Sequence, residues 1–159
     1  MSKIELLLET IPSYPGQNIA IITDGTDEKS ILKLIEFSRD IDANLYIKEL
    51  DSTKLQSDGT VHIEKFSFED TIYNSKSIQY DFLFLFAKFD DTSHFQSIAK
   101  KIYRAIKNAA NLFVLTNKEN SNTLVNILEE TNFVAINMIS LEDEFDAISA
   151  KKMHGWMRV

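Results

Sequence analysis

Cysteine is absent from the chain, which excludes disulfide bonds, thiolate metal sites and cysteine nucleophiles. Positive charge is in deficit, because 17 lysines and arginines face 24 aspartates and glutamates, for a net charge of −7. This balance argues against general nucleic-acid binding, which depends on Lys and Arg neutralising phosphates. No apolar run approaches the roughly 20 residues of a membrane span, and the first residues do not resemble a signal peptide. We therefore expect a cytoplasmic protein with no membrane contact and no nucleic-acid partner.

What is present is typical of an ordered globular domain. The chain has 159 residues, of which 44% are hydrophobic and 26% are charged, enough to bury a sizeable core. No internal repeat and no linker interrupts it, so we predict a single domain over residues 1–159. Apolar side chains at helical spacing predict an N-terminal helix over residues 1–11, which Pro12 ends.

Strand-like and helix-like segments then alternate along the chain. Apolar or alternating runs predict strands at 18–23, 44–50, 61–66, 81–86 and 112–116. Helical spacing predicts helices between them, with faces formed by Ile31, Leu34 and Ile35, by Phe95, Ile98, Ala99, Ile102, Ile106 and Ala109, and by Leu124, Ile127 and Leu128. Such alternation is typical of a mostly parallel sheet with helices packed on it.

The alternation of strands and helices stops near the carboxyl terminus. Two strand-like runs, 133–139 and 145–149, are separated by residues 140–144 alone. A connection of this length cannot make the crossover that parallel strands need. The sequence therefore predicts an antiparallel hairpin at or near one edge of the sheet.

The junction between the first strand and the helix after it is unusual. In nucleotide- and cofactor-binding α/β proteins, a glycine-rich turn at this place lets backbone N–H groups approach a phosphate or a ribose. Here the junction reads Asp24-Gly25-Thr26-Asp27-Glu28, with one glycine and three carboxylates. Because side chains and negative charge stand where bare backbone is usual, we expect weak binding of an anionic ligand there.

Three segments in the second half of the chain support a family resemblance. Tyr80-Asp81 opens an apolar strand, Lys101–Ala110 leads as a helix into the next strand, and Phe133-Val-Ala-Ile and Phe145-Asp-Ala-Ile form the terminal pair. This series resembles the fourth strand, the helix before the fifth strand and the closing hairpin of the class I S-adenosylmethionine-dependent methyltransferases. The resemblance implies an α/β fold with a three-layer, Rossmann-like sheet, mostly parallel, that ends in a C-terminal antiparallel β-hairpin.

The same resemblance implies a cofactor site and two alternative functions. Asp24 and Gly25 would match the turn that supports the methionine part of the cofactor, and Glu49 or Asp51 would match the acidic residue that holds the ribose hydroxyls. Since Gly25 is the sole glycine of the turn, the favoured interpretation is a non-catalytic or degenerate member that acts through binding. The alternative is an active methyltransferase with an atypical loop. The cofactor is accordingly either none or S-adenosylmethionine, and no catalytic residue or acceptor substrate is indicated.

Other carboxylates follow predicted strands. Asp24, Asp51, Asp90 and Asp91 should lie near the carboxyl ends of strands, where open α/β sheets bind ligands. They fit an acidic pocket for a cation or a hydroxyl-rich ligand, but Asp also favours turns and helix N-caps, which is the preferred interpretation. An acid–lysine set of Asp24, Asp90 and Lys118, as in receiver domains, does not agree with the terminal hairpin.

Histidine-based sites are weakly indicated. His62 and Glu64 lie two residues apart on a predicted strand and share a face, as a pair of metal ligands would. A solvated strand face explains them better, so we predict no metal site. The three histidines complete neither a Ser-His-Asp set nor an HExxH motif.

The tail Lys151–Val159 is basic and aromatic in an otherwise acidic chain. It contains two lysines, one arginine, one histidine and Trp156, the only tryptophan. Trp, Met and Arg are favoured anchors of interfaces, so the tail either docks a partner or packs on its own domain. In both cases we expect Trp156 to be substantially buried, and the partner that we predict is a second copy in a homodimer.

Overall fold

The structure is a computed structural model, and it describes residues 8, 16–23, 28–49, 61–65, 80–86, 95–140 and 145–152. Leu8 is helical and buried, and it belongs to the predicted N-terminal helix; the rest of that helix lies outside the described residues. The same holds for Asp24, Gly25, Asp51, Asp90, Asp91 and Trp156, so the predictions on these six residues stay predictions.

Seven strands form one sheet. They are β1 (Asn18–Thr23), β2 (Asn44–Glu49), β3 (Val61–Lys65), β4 (Tyr80–Phe86), β5 (Ile106–Asn117), β6 (Phe133–Ser140) and β7 (Phe145–Lys152). Their order across the sheet is β3-β2-β1-β4-β5-β7-β6. The first five strands are parallel, and β7 lies between β5 and β6 and is antiparallel to both. The prediction of a mostly parallel sheet with a terminal hairpin is confirmed.

Helices cover both faces of the sheet. Helix α1 (Glu28–Asp40) packs Ile31 and Leu34 into one apolar cluster, while α2 (Phe95–Ala105) and α3 (Ser121–Glu130) pack into a second. The two clusters lie on opposite faces, because alternate residues of each central strand contribute to them: Ile21 and Phe84 to the first, Ile22 and Leu85 to the second. This is the three-layer arrangement that the sequence predicts.

The boundary between α2 and β5 differs from the prediction. The apolar stripe at helical spacing continues to Ile106 and Ala109, but the helix ends at Ala105 and both residues belong to β5. Ile106 pairs with Tyr80 of β4, and a bulge follows before the regular pairing resumes at Asn111. Because Ile106 is fully buried in its strand, its apolar character could not distinguish a helix from a strand.

The last strand is also longer than predicted. β7 continues through Lys151 and Lys152, which pair with Val134 and Phe133 of β6. The first two residues of the basic tail therefore belong to the sheet, and residues 153–159 are not among those described.

Candidate functional site

The carboxyl edge of the sheet contains a topological switch point between β1 and β4. From β1 the chain builds outward to β2 and β3, and then returns to place β4 on the other side of β1. Open α/β sheets bind ligands in the crevice that such a reversal creates. The two strands end here at Thr23 and Phe86, which are paired in register and only 2% exposed.

Glu49 is the predicted site residue that the structure places at this edge. It is the last residue of β2 and lies beside Thr23 in the parallel register, with Lys65 of β3 on its other side. An acidic residue at the end of the second strand, next to the end of the first, is the position that the sequence resemblance implies for a ribose-binding group. Asp51 follows two residues later and lies outside the described residues.

The connection from β1 to α1 spans residues 24–27, because the strand ends at Thr23 and the helix begins at Glu28. Asp24 and Gly25 belong to this connection, and their conformation is outside the described part of the chain. In the sequence, this acidic segment stands between the carboxyl end of β1 and the amino end of α1, where a helix carries a partial positive charge.

A second polar group at the carboxyl edge was not predicted from the sequence. Thr116 of β5 pairs with Asp146 of β7, which pairs with Ser140 of β6, so the three side chains share the sheet face that α3 covers. Asp146 is 6% exposed, and the hydroxyl of Ser140 donates to its Oδ1 at 3.4 Å. Together, Thr116, Asp146 and Ser140 present one carboxylate and two hydroxyl groups, which could accept hydrogen bonds from an amine or a hydroxyl group.

The signal for Asp146 in the sequence is a single charged residue at the start of an apolar run, which also fits a turn. Only the pairing of β7 between β5 and β6 shows that this residue is enclosed. β1 and β7 are three strand spacings apart, about 14 Å. Asp146 therefore belongs to a different half of the edge from Thr23 and Glu49.

The remaining candidates form no site in the described part of the chain. His62 and Glu64 lie on β3 at register positions beside Tyr46 and Lys48. Among the described residues, no group of three or more His, Cys, Asp or Glu side chains could hold a metal ion. Lys118, the basic member of the acid–lysine set, begins a short 3-10 helix after β5 and is exposed.

At the opposite, amino edge of the sheet, two charged side chains form hydrogen bonds with backbone groups of neighbouring strands. Asp81 accepts hydrogen bonds from the backbone N–H of Asn18 at 2.8 Å and from Lys107 Nζ at 3.0 Å. Lys152 Nζ donates to the carbonyl of Ile106 at 3.0 Å and lies 4.9 Å from the centre of the Tyr103 ring. Burial lowers the pKa of the Lys152 ammonium from its ordinary value.

Comparison with known structures identifies the class of fold. A SAM-dependent methyltransferase from Aquifex aeolicus matches with a TM-score of 0.67 at 12% identity, over 96% of this chain and 90% of that one. An S-adenosylmethionine-dependent methyltransferase from Mesorhizobium loti matches with a TM-score of 0.66 at 10% identity, over 92% and 96%. Human N-acetylserotonin methyltransferase, solved with SAM, matches with a TM-score of 0.68 at 10% identity, over 95% of this chain. The chain has the class I methyltransferase-like fold.

These similarities extend to the fold and not to the sequence. The chain spans 52% of the length of the human methyltransferase. No protein-family model matches the sequence, and comparison with curated proteins likewise finds no match. Within the described residues, no helix has the length and apolar character that crossing a bilayer requires.

Proposed function

We propose that this protein uses a methyltransferase-like fold for binding and does not transfer methyl groups. The observation that supports this proposal is the acidic sequence between the end of β1 and the start of α1. Residues 24–27 join β1 to α1, and they bring Asp24 and Asp27 with a single glycine, followed at once by Glu28 as the first helical residue.

The acidic connection opposes an anionic group on physical grounds. The amino end of a helix attracts negative charge, and carboxylates of the chain itself occupy this stretch of sequence. The methionine part of S-adenosylmethionine carries a carboxylate of its own. Two like charges about 4 Å apart repel by about 4 kcal/mol at an effective dielectric of about 20. A penalty of this size weakens binding by about a thousandfold.

The alternative is an active S-adenosylmethionine-dependent methyltransferase with an atypical loop. Glu49 favours it, because the carboxyl end of β2 beside Thr23 is where the resemblance implies a group for the ribose hydroxyls. The two functions share the site and differ in affinity for the cofactor, so a binding measurement separates them.

Isothermal titration of the full chain with S-adenosylmethionine and with S-adenosylhomocysteine provides the test. We expect no saturable heat at micromolar ligand for the natural sequence. The double variant Asp24→Asn with Asp27→Ser removes two charges, and the serine hydroxyl still supplies an oxygen that can cap the helix. It should gain measurable affinity for both compounds.

The matched control is Asp40→Asn, which removes one carboxylate from the last residue of the same helix. It should leave binding unchanged, because the effect of a charge on a helix end fades within one turn. A low-micromolar dissociation constant for the natural sequence, weakened by Glu49→Gln, would contradict the proposal and favour the active enzyme.

A further inference from the structure

The edge strand β6 differs from the opposite edge strand in charge. β6 consists of Phe-Val-Ala-Ile-Asn-Met-Ile-Ser, with no charged residue and no proline. The other edge, β3, carries Glu64 and Lys65 within a strand that ends at residue 65. Soluble proteins usually protect edge strands with charges, proline or bulges, because an open edge offers unpaired N–H and C=O groups to another strand.

A bulge protects only the first half of β6. The register against β7 shifts between Val134 and Asn137, and Ala135 within this shift has a φ of 52°. The side-chain amide of Asn137 donates to the Ala135 carbonyl at 3.2 Å. From Asn137 to Ser140 the pairing with β7 is regular, and no other strand among the described residues pairs with the outer side of this half.

Met138 lies on the unprotected half of β6 and is 45% exposed. Among the described residues, Leu32 on α1 is the other large apolar side chain with comparable exposure, at 50%. Ile136 and Ile139 of the same strand are partly buried against the two apolar clusters on opposite faces of the sheet. Within the described part of the chain, the regular half of β6 therefore combines an outer strand position with an exposed apolar side chain.

We propose that this half of β6 binds the same strand of a second copy of the chain, as an antiparallel pair centred on Met138. A twofold axis there places Met138 beside the partner's Met138 and continues the sheet across the dimer. The charge pattern favours a second copy, since a twofold contact sets residues at its centre against themselves. Charged residues at that centre would repel their own copies, whereas an uncharged segment adds nothing to the repulsion between two chains of net charge −7.

The mass of the full chain in solution tests the proposal. Sedimentation velocity over rising concentration should show a shift from 18.2 kDa toward twice that value. Met138→Lys sets two ammonium groups against each other and should weaken the dimer by about tenfold or more. Leu32→Lys adds the same charge at a similarly exposed site on α1, and it should leave the dimer unchanged.

Two further measurements make the test independent of any single variant. A mixture of Met138→Lys and Met138→Glu chains should recover a dimer that contains one of each, detected by native mass spectrometry. In the natural chain, hydrogen exchange at the amides of residues 137–140 should slow as concentration rises. A monomer at all concentrations, a dimer unaffected by Met138→Lys, or exchange at these amides independent of concentration would overturn the proposal. The failure of the cofactor titration would not bear on it.

Discussion

Lys152 shows at the scale of one residue how the structure changes the properties of a side chain. Its ammonium group donates to the Ile106 carbonyl and lies against Tyr103, whose ring meets Phe133 edge-on at 5.2 Å. The hydrogen bond and the ring favour the charged form, while partial burial disfavours it. Burial is the larger effect, because the pKa is lowered from 10.5.

The lowered pKa predicts how stability changes with pH. Between the folded pKa of Lys152 and 10.5, the unfolded chain binds more protons than the folded one, so the free energy of unfolding rises with pH in this window. This contribution is complete above 10.5 and is lost as the pH falls through the folded pKa. The urea midpoint of the natural chain should therefore rise relative to that of Lys152→Met as the pH goes from neutral to alkaline.

Lys151→Met is the control for this pH dependence, because Lys151 is the neighbouring residue of the same strand and is exposed. Its midpoint should stay parallel to that of the natural chain across the same pH range. An equal pH dependence in both variants would mean that the burial of Lys152 has no effect on stability.

At the scale of secondary-structure elements, Asp81 connects three strands at the amino edge of the sheet. It lies on β4, accepts from the backbone of β1 and pairs with Lys107 in the bulge of β5. Its side chain is 16% exposed and that of Lys107 is 47% exposed, so solvent screens the ion pair more than the bond to the backbone.

Replacing Asp81 should consequently cost more than replacing its basic partner. Asp81→Ala leaves the Asn18 N–H without its acceptor, and we expect a loss of about 1–3 kcal/mol in the free energy of unfolding. Lys107→Ala should cost less than about 1 kcal/mol. Urea denaturation of both variants measures the difference. Equal losses would show that the ion pair, and not the backbone hydrogen bond, stabilises this edge.

The elements also show which parts of the fold the sequence can predict. The bounds of β1 agree with the prediction, because its apolar run is covered on both faces and ends at the acidic junction. The hairpin follows from the length of one connection. The end of α2 could not be predicted, because it depends on the pairing of Ile106 with Tyr80, which is distant in the chain.

The residues of the candidate site likewise include one that the sequence could predict and one that it could not. Glu49 could be placed from local sequence, since its position depends only on where β2 ends. The enclosure of Asp146 depends on β5 and β6 lying on its two sides, and no short segment contains that information.

At the scale of the whole molecule, the net charge predicts how association responds to salt. Two chains of net charge −7 repel each other, and the Debye length falls from about 30 Å at 0.01 M salt to about 8 Å at 0.15 M. Pairing through the uncharged β6 gains no attraction that salt could screen. The dimer dissociation constant should therefore fall severalfold over this range of sodium chloride.

A dimer held by the basic tail would respond in the opposite direction. Lys151, Lys152 and Arg158 would then attract acidic groups of the other copy, and added salt would screen that attraction and raise the dissociation constant. Sedimentation equilibrium at the two salt concentrations distinguishes the two modes, with Met138→Lys as the chain in which the β6 contact is weakened. Since β6 carries no charge of its own, tighter association at higher salt in the natural chain, reduced by Met138→Lys, is the result that pairing through this strand requires.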